Sequence, residues 1–168
     1  MEIERKYLIS NKSRINKIIN TYTKKQIIQD YLYIDNYTII RKRKIINGLE
    51  IIYYYTVKTM KTGISVNEFE KKITEKEYNE FKVNSNYNTI IKDRYVIPYL
   101  HNLNIELDIF HGIYEGIIFA EIEFESEKQA NEIKIPEWFG MDISSLYTNS
   151  NMAINNIRDE IFKKTLME

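Results

Sequence analysis

Charged side chains recur two residues apart in segment after segment of this chain. "EIERKYL" at its start carries Glu2, Glu4 and Lys6 at alternate positions. "RKR" places Arg41 with Arg43, "NEFEKK" Glu68 with Glu70, and "IKDRY" Lys92 with Arg94. "NIELDIF" pairs Glu106 with Asp108, "IFAEIEFE" pairs Glu121 with Glu123, and Lys58 ends "IIYYYTVK". In an extended strand alternate residues share a face, so each segment predicts a strand with one charged face, mostly of one sign. Six bases gathered in one place would suit a multivalent anion, because arginine in particular matches phosphate oxygens bidentately. Carboxylates without histidine or cysteine suit a hard divalent cation, Mg²⁺ or Mn²⁺. Together they describe a metal–polyphosphate site. Eight acids against six bases leave a net of −2, so a bare polyphosphate would be repelled unless a metal came with it.

The opposite faces of the same strands are apolar. Ile105, Leu107 and Ile109 oppose Glu106 and Asp108, while Ile118, Ala120, Ile122 and Phe124 oppose Glu121 and Glu123. Period-two patterning predicts strands near 2–9, 26–35, 38–46, 50–58, 66–73, 88–98, 103–110 and 116–125. Turn signals separate several of them: "DN" at 35–36, "NG" at 47–48 and "TG" at 62–63. Helices are expected over 11–21, 74–84, 126–133 and 150–165, with Ser10 and Thr74 as N-caps and "TEKE" as a capping box. A sandwich with a solvated charged face would accommodate any one of these strands. For the whole set, a barrel with an ionic interior accounts better for the repeated pairs, its apolar faces turned outward onto helices. The expected fold is therefore mainly β (α+β), an eight-stranded antiparallel closed barrel or tunnel, in a single domain spanning residues 1–168.

Composition narrows the classes further. The 168 residues include 24 basic and 24 acidic side chains, a balance that counts against a general nucleic-acid binder. There is no cysteine, which excludes disulfides, zinc thiolates and a thiol nucleophile. No apolar run approaches a membrane span and no signal core is evident, so a cytoplasmic enzyme or binding protein is expected. His101 and His111 fall in or near loops and are expected to play no catalytic part. Trp138 reads as a core anchor and Tyr53 to Tyr55 as barrel packing. Met152, Ile154, Ile157 and Ile161 have a helical spacing, which predicts a last helix that packs on the barrel or closes one end.

In order along the chain, "EIERKYL", "QDYL" (29–32), "RKR", "TVK" (56–58), "EFE" (68–70), "KDRYVIP" (92–98), "ELDIF" (106–110), "AEIEF" (120–124) and "IPEWFG" (135–140) resemble the CYTH family, the triphosphate tunnel metalloenzymes. "YTNSNMA" at 147–153 resembles the closing motif of small bacterial members. The resemblance implies an eight-stranded tunnel acting on a triphosphate with Mg²⁺ or Mn²⁺. By position it makes Lys6, Arg41, Arg43, Lys58, Lys92 and Arg94 phosphate ligands. It makes Glu2, Glu4, Glu121 and Glu123 metal ligands, with Glu68, Glu70, Glu106 and Asp108 further acidic positions for a second metal or for water. Lys6, Glu4 and Tyr31 form the expected catalytic group. Val66 departs from the pattern, which often has arginine there.

The expected activity is hydrolysis of inorganic tripolyphosphate to diphosphate and phosphate. Alternatives within the family are a class IV-type adenylate cyclase and a thiamine or nucleoside triphosphatase. A non-catalytic polyphosphate-binding module would not need the full set of metal acids, and a lipocalin-like carrier would need apolar residues inside. The expected partner is a small-molecule triphosphate, with no nucleic acid and no membrane; monomer and homodimer both remain open.

Overall fold

A computed structural model describes residues 1–60 and 64–167. Eight strands are interspersed with short helices, in the order β1 (Glu2–Leu8), α1 (Lys12–Thr21), β2 (Lys24–Ile34), β3 (Thr38–Asn47), β4 (Glu50–Met60), β5 (Ser65–Ile73), α2 (Glu75–Glu80), β6 (Ile90–Pro98), β7 (Asn104–His111), β8 (Ile118–Glu123), α3 (Glu127–Glu132), α4 (Asn149–Ile154) and α5 (Arg158–Thr165). The strands close into an antiparallel barrel in the order β1-β5-β4-β3-β2-β6-β7-β8, which leaves no exposed sheet edge. The expected strands all form, within a few residues of their anticipated ends. The "NG" hairpin places Gly48 at φ 62°, the left-handed conformation that such a turn requires. At the "DN" turn the Asp35 carboxylate accepts the N–H groups of Tyr37 and Thr38, both at 2.7 Å. The expected turn at 62–63 lies outside the described residues.

Two helix expectations need correction. The cap of α1 is Asn11, whose side chain accepts from the Arg14 N–H at 3.0 Å, rather than Ser10. The helix expected over 150–165 is two helices, α4 and α5, because a side chain from elsewhere pins the chain between them. Tyr114 places its hydroxyl 2.7 Å from the carbonyl oxygens of both Met152 and Asn155 and accepts from the Ile157 N–H at 3.2 Å. The capping box at α2 forms as expected, between Thr74 and Glu77.

Register determines which face goes in. Glu4 lies opposite Glu123 and Lys6 opposite Glu121, while Arg5 meets Ile122 and Tyr7 meets Ala120 on the other face. Tyr7, Leu107, Ala120 and Ile122 belong to a core outside the barrel wall, with Ile15 and Ile18 of α1 and Ala130 of α3. Arg5 also points outward, to the Ala130 carbonyl and the Asn131 side chain.

A second core lies within one end of the barrel. Leu8, Ile39, Ile90, Phe110 and Phe119 share the parity of the lumen charges on their own strands, and Tyr31 that of Gln29 on β2. They meet Met152 and Ala153 of α4, Ile161 of α5, and Tyr114. The C-terminal segment thus seals one end of the barrel with hydrocarbon, and the ionic lumen stands on this apolar floor.

Candidate active site

Above that floor a cavity of about 170 Å³ is lined almost wholly by polar groups. Arg41, Arg43, Lys58, Lys92 and Arg94 supply its cations, and Glu2, Glu4, Glu68, Glu70, Glu106, Glu121 and Glu123 its carboxylates. Lys6 lines a smaller adjoining space of about 80 Å³ toward the closed end, together with Tyr31 and again Glu2, Glu4, Arg41 and Lys58. The strands thus bring together thirteen of the fourteen charged residues singled out in the sequence. The fourteenth, Asp108, is fully buried behind the lining.

Ion pairs hold the cations in place. Arg94 grips Asp108 through Nε at 2.7 Å and a terminal nitrogen at 2.8 Å, and its other terminal nitrogen meets Glu106. Lys92 is 2.7 Å from the same Asp108. Lys6 lies 3.2 Å from Glu121; Lys58 lies 2.7 Å from Glu2 and 3.4 Å from Glu68. One terminal nitrogen of Arg43 contacts both Glu70 oxygens, at 2.8 and 2.9 Å, and the Thr56 hydroxyl donates to Glu70 at 3.2 Å. Buried charges tolerate such a site only when paired in this way.

The titration of these groups follows from their neighbours. Burial alone would raise the Glu121 carboxyl, but Lys6, Lys92 and Arg94 overcome it and hold Glu121 far below the usual carboxylate range. The same contest leaves Asp108 lowered, through Arg94 and Lys92. Desolvation would lower Lys6, yet Glu121 and Glu4 leave it raised. Lys92 is pushed down to about 8 by burial, which its Asp108 partner offsets only in part. Glu4 goes the other way: burial, with Glu121 and Glu2 beside it, pushes its carboxyl up to about 7. Glu123 is raised as well, by burial and by Glu2, Glu106 and Glu68.

Glu4 and Glu123 have no ion pair within 4.0 Å among the described residues, so they are the uncompensated acids of the lumen. An all-oxygen donor set under mutual repulsion has the chemistry of a hard divalent cation site. Among the described residues no three such groups already stand at ligand spacing, so side chains would have to draw in around an ion. Glu68, Glu70 and Asp108, like Glu2, Glu106 and Glu121, each already hold an arginine or lysine. Tyr31 sits 2% exposed in the apolar floor, with its phenol beside Arg41 and 3.5 Å from the Gln29 amide nitrogen.

Three polar groups escaped the sequence reading. Gln29 and Asn149 border the lumen without a charge to mark them, and the buried Thr56 supports it from behind through Glu70. Gln29 shares parity with Tyr31 and Thr56 with Lys58, so strand alternation could have found both. Asn149 comes from α4, beyond the reach of strand parity. His101 lies in a turn at φ 54°. His111 ends β7 on the outer face, 2.8 Å from Asp93. Trp138 packs against the outer core, in edge contact with Phe139.

No family model matches the chain. Over 160 residues it is 32% identical to a curated inorganic triphosphatase of Acetivibrio thermocellus, covering 92% of this chain and 94% of that protein. An inorganic triphosphatase of Nitrosomonas europaea is 28% identical over 105 residues, 61% of this chain and 69% of its own. Among solved structures, the inorganic triphosphatase NE1496 superposes with a TM-score of 0.62 at 24% identity, covering 92% of this chain and 95% of that one. A Hippeastrum protein described as a putative adenylyl cyclase with dominant triphosphatase activity gives 0.61 at 14% identity, over 78% and 83% of the two chains. These two superpositions establish a shared fold. With that fold, and with a relative 32% identical along nearly its whole length, the chain belongs to the CYTH family of triphosphate tunnel proteins.

Proposed function

We propose that this chain hydrolyses a linear triphosphate, inorganic tripolyphosphate first, to diphosphate and phosphate, and that it does so as one domain. The observation that carries the reading is the convergence of six buried or half-buried bases and seven carboxylates on one lumen closed at one end. Phosphoryl transfer to water asks mainly for positioning and charge neutralisation. Arg41, Arg43, Lys58, Lys92, Arg94 and Lys6 supply both along the phosphate chain. Glu68, Glu70 and Asp108 act in this reading first as positioning residues, since each fixes one or more of those cations, as Glu2 and Glu121 also do; any metal ligation by them comes second. Glu2, Glu4 and Glu123, with Glu121 beside them, would hold Mg²⁺ or Mn²⁺. Such an ion would neutralise phosphate charge and lower the pKa of a coordinated water. Tyr31 keeps Arg41 oriented from the floor, and we assign it no proton transfer. The names of the two curated relatives support the same activity.

The test is phosphate release from tripolyphosphate, ATP and thiamine triphosphate, each with Mg²⁺, Mn²⁺ or EDTA, with cyclic AMP measured among the products of ATP. Tripolyphosphate is expected to turn over fastest and EDTA to abolish turnover. Undiminished turnover in EDTA would remove the metal from the proposal, and cyclic AMP as the main product would replace hydrolysis with cyclisation.

A further inference from the structure

We propose that Asn149 sets the length of phosphate chain the tunnel accepts, its side-chain amide abutting the terminal phosphoryl group at the closed end. The inference rests on the triphosphatase reading and adds to it a residue that gauges the substrate. Asn149 borders both the main cavity and the smaller space toward the floor, so its amide stands where the two meet. Its Oδ1 is buried and has no hydrogen-bond partner in the protein. A buried amide oxygen left without a donor is costly, and the nearby Thr148 and Ser150 hydroxyls are turned to each other at 2.8 Å. A ligand in the lumen would supply the missing partner.

The chemistry fits a terminal phosphoryl group better than an inner one. A terminal group alternates between P–OH and P–O⁻ near neutral pH. A carboxamide offers an acceptor and two donors, so it can meet either form without adding charge. Beyond Asn149 the walls turn to Ile39, Met60 and Val66. Lys6 borders this smaller space together with Arg41 and Lys58, facing Glu2 and Glu4. One more phosphoryl group would have to displace the Asn149 side chain.

The experiment measures kcat/KM for tripolyphosphate and for linear tetrapolyphosphate in the wild type, Asn149→Ala and Asn149→Gln, with a thermal melt of each protein. Asn149→Ala is expected to shift the tetrapolyphosphate-to-tripolyphosphate ratio upward by about tenfold, the scale at which pockets discriminate substrates by size. Asn149→Gln should raise KM for tripolyphosphate while diphosphate still inhibits competitively. A change that merely loosened the fold would lower both substrates together and leave the ratio where it was. Turnover of tripolyphosphate with a ratio unchanged in both variants would overturn the role of Asn149 and leave the hydrolase reading standing. A folded wild type inert toward every polyphosphate would overturn both. Should Asn149→Ala fail to fold, Asn149→Ser with the glutamine variant carries the same comparison.

Discussion

Replacing Asp108 with asparagine tests the claim that buried acids exist to hold the cations. Asp108 is fully buried, gripped by Arg94 at 2.7 and 2.8 Å and by Lys92 at 2.7 Å, and Lys92 is itself only 1% exposed. Asparagine keeps the volume and removes the charge, so Lys92 is stranded in the wall. Breaking a buried pair from one side costs about 3–5 kcal/mol, set against a total stability of roughly 5–15 kcal/mol. For a chain of this size that corresponds to a fall in Tm of roughly 6–20 °C. Thermal denaturation followed by circular dichroism at pH 7 reads the effect directly. The double variant Asp108→Asn/Lys92→Met removes both charges and should recover about 1 kcal/mol or more over the single one.

The pH dependence of the same variant has a definite sign. The Asp108 carboxyl is depressed in the folded protein, since Arg94 and Lys92 outweigh burial. Its contribution is therefore complete above the unfolded carboxylate pKa of about 3.9 and disappears as pH falls through the lower folded value. Wild type and Asp108→Asn should differ most at neutral pH and converge in strong acid. A gap below about 1 kcal/mol at pH 7, or one that stays constant into acid, would refute the argument that Asp108 is an electrostatic clamp.

Further outcomes follow from the same geometry. If Glu4 holds the metal as proposed, Glu4→Gln should abolish turnover in the standard assay with its melting temperature held, because no cation loses an ion-pair partner. Arg43→Ala, which removes the partner of Glu70, should raise KM by about tenfold or more with a smaller change in kcat, as expected when a charge-assisted contact worth about 1.5–3 kcal/mol is removed. Since Glu4 titrates near 7, metal must displace its proton below that pH; apparent Mn²⁺ affinity, read by calorimetry, should weaken as pH drops from 8 to 6 and flatten in Glu4→Gln. Tyr114→Phe should cost about 1–3 kcal/mol in denaturant unfolding, because it strips the hydroxyl from two carbonyls and an N–H between α4 and α5.

The barrel was legible because each strand announces two faces. In β7 and β8 the alternation of Glu106, Asp108, Glu121 and Glu123 with Ile105, Leu107, Ala120 and Ile122 leaves only the question of which face is interior, and paired charges of one sign per strand answered it. Depth along the tunnel was not legible. Asp108 has the parity of Glu106 but lies one step nearer the floor, where neighbouring strands close over it, and that level depends on the stagger of strands far apart in sequence. The division of the last helix was hidden for a similar reason. Met152, Ile154, Ile157 and Ile161 fit one continuous stripe, and the interruption comes from Tyr114, some forty residues upstream. Asn11 and Ser10 are both competent caps, so the choice fell to backbone geometry.

Fold and site rest on a single register. Lys6 and Glu121 are cross-strand partners, as are Lys58 with Glu68 and Arg94 with Asp108. Three of the six cations therefore receive a counter-charge directly from strand pairing. A slip of one residue in any of these ladders would turn charges onto the outer core and apolar residues into the lumen. The penalty for unpaired buried charge, usually a burden on such a site, thereby becomes a device that rejects wrong pairings. The outer core of Leu107, Ala120 and Ile122 selects the same register from the other side of the wall. For this reason the ion pairs of the tunnel need not add net stability to be retained: they fix each cation in its strand before any triphosphate arrives, and little reorganisation is left for binding.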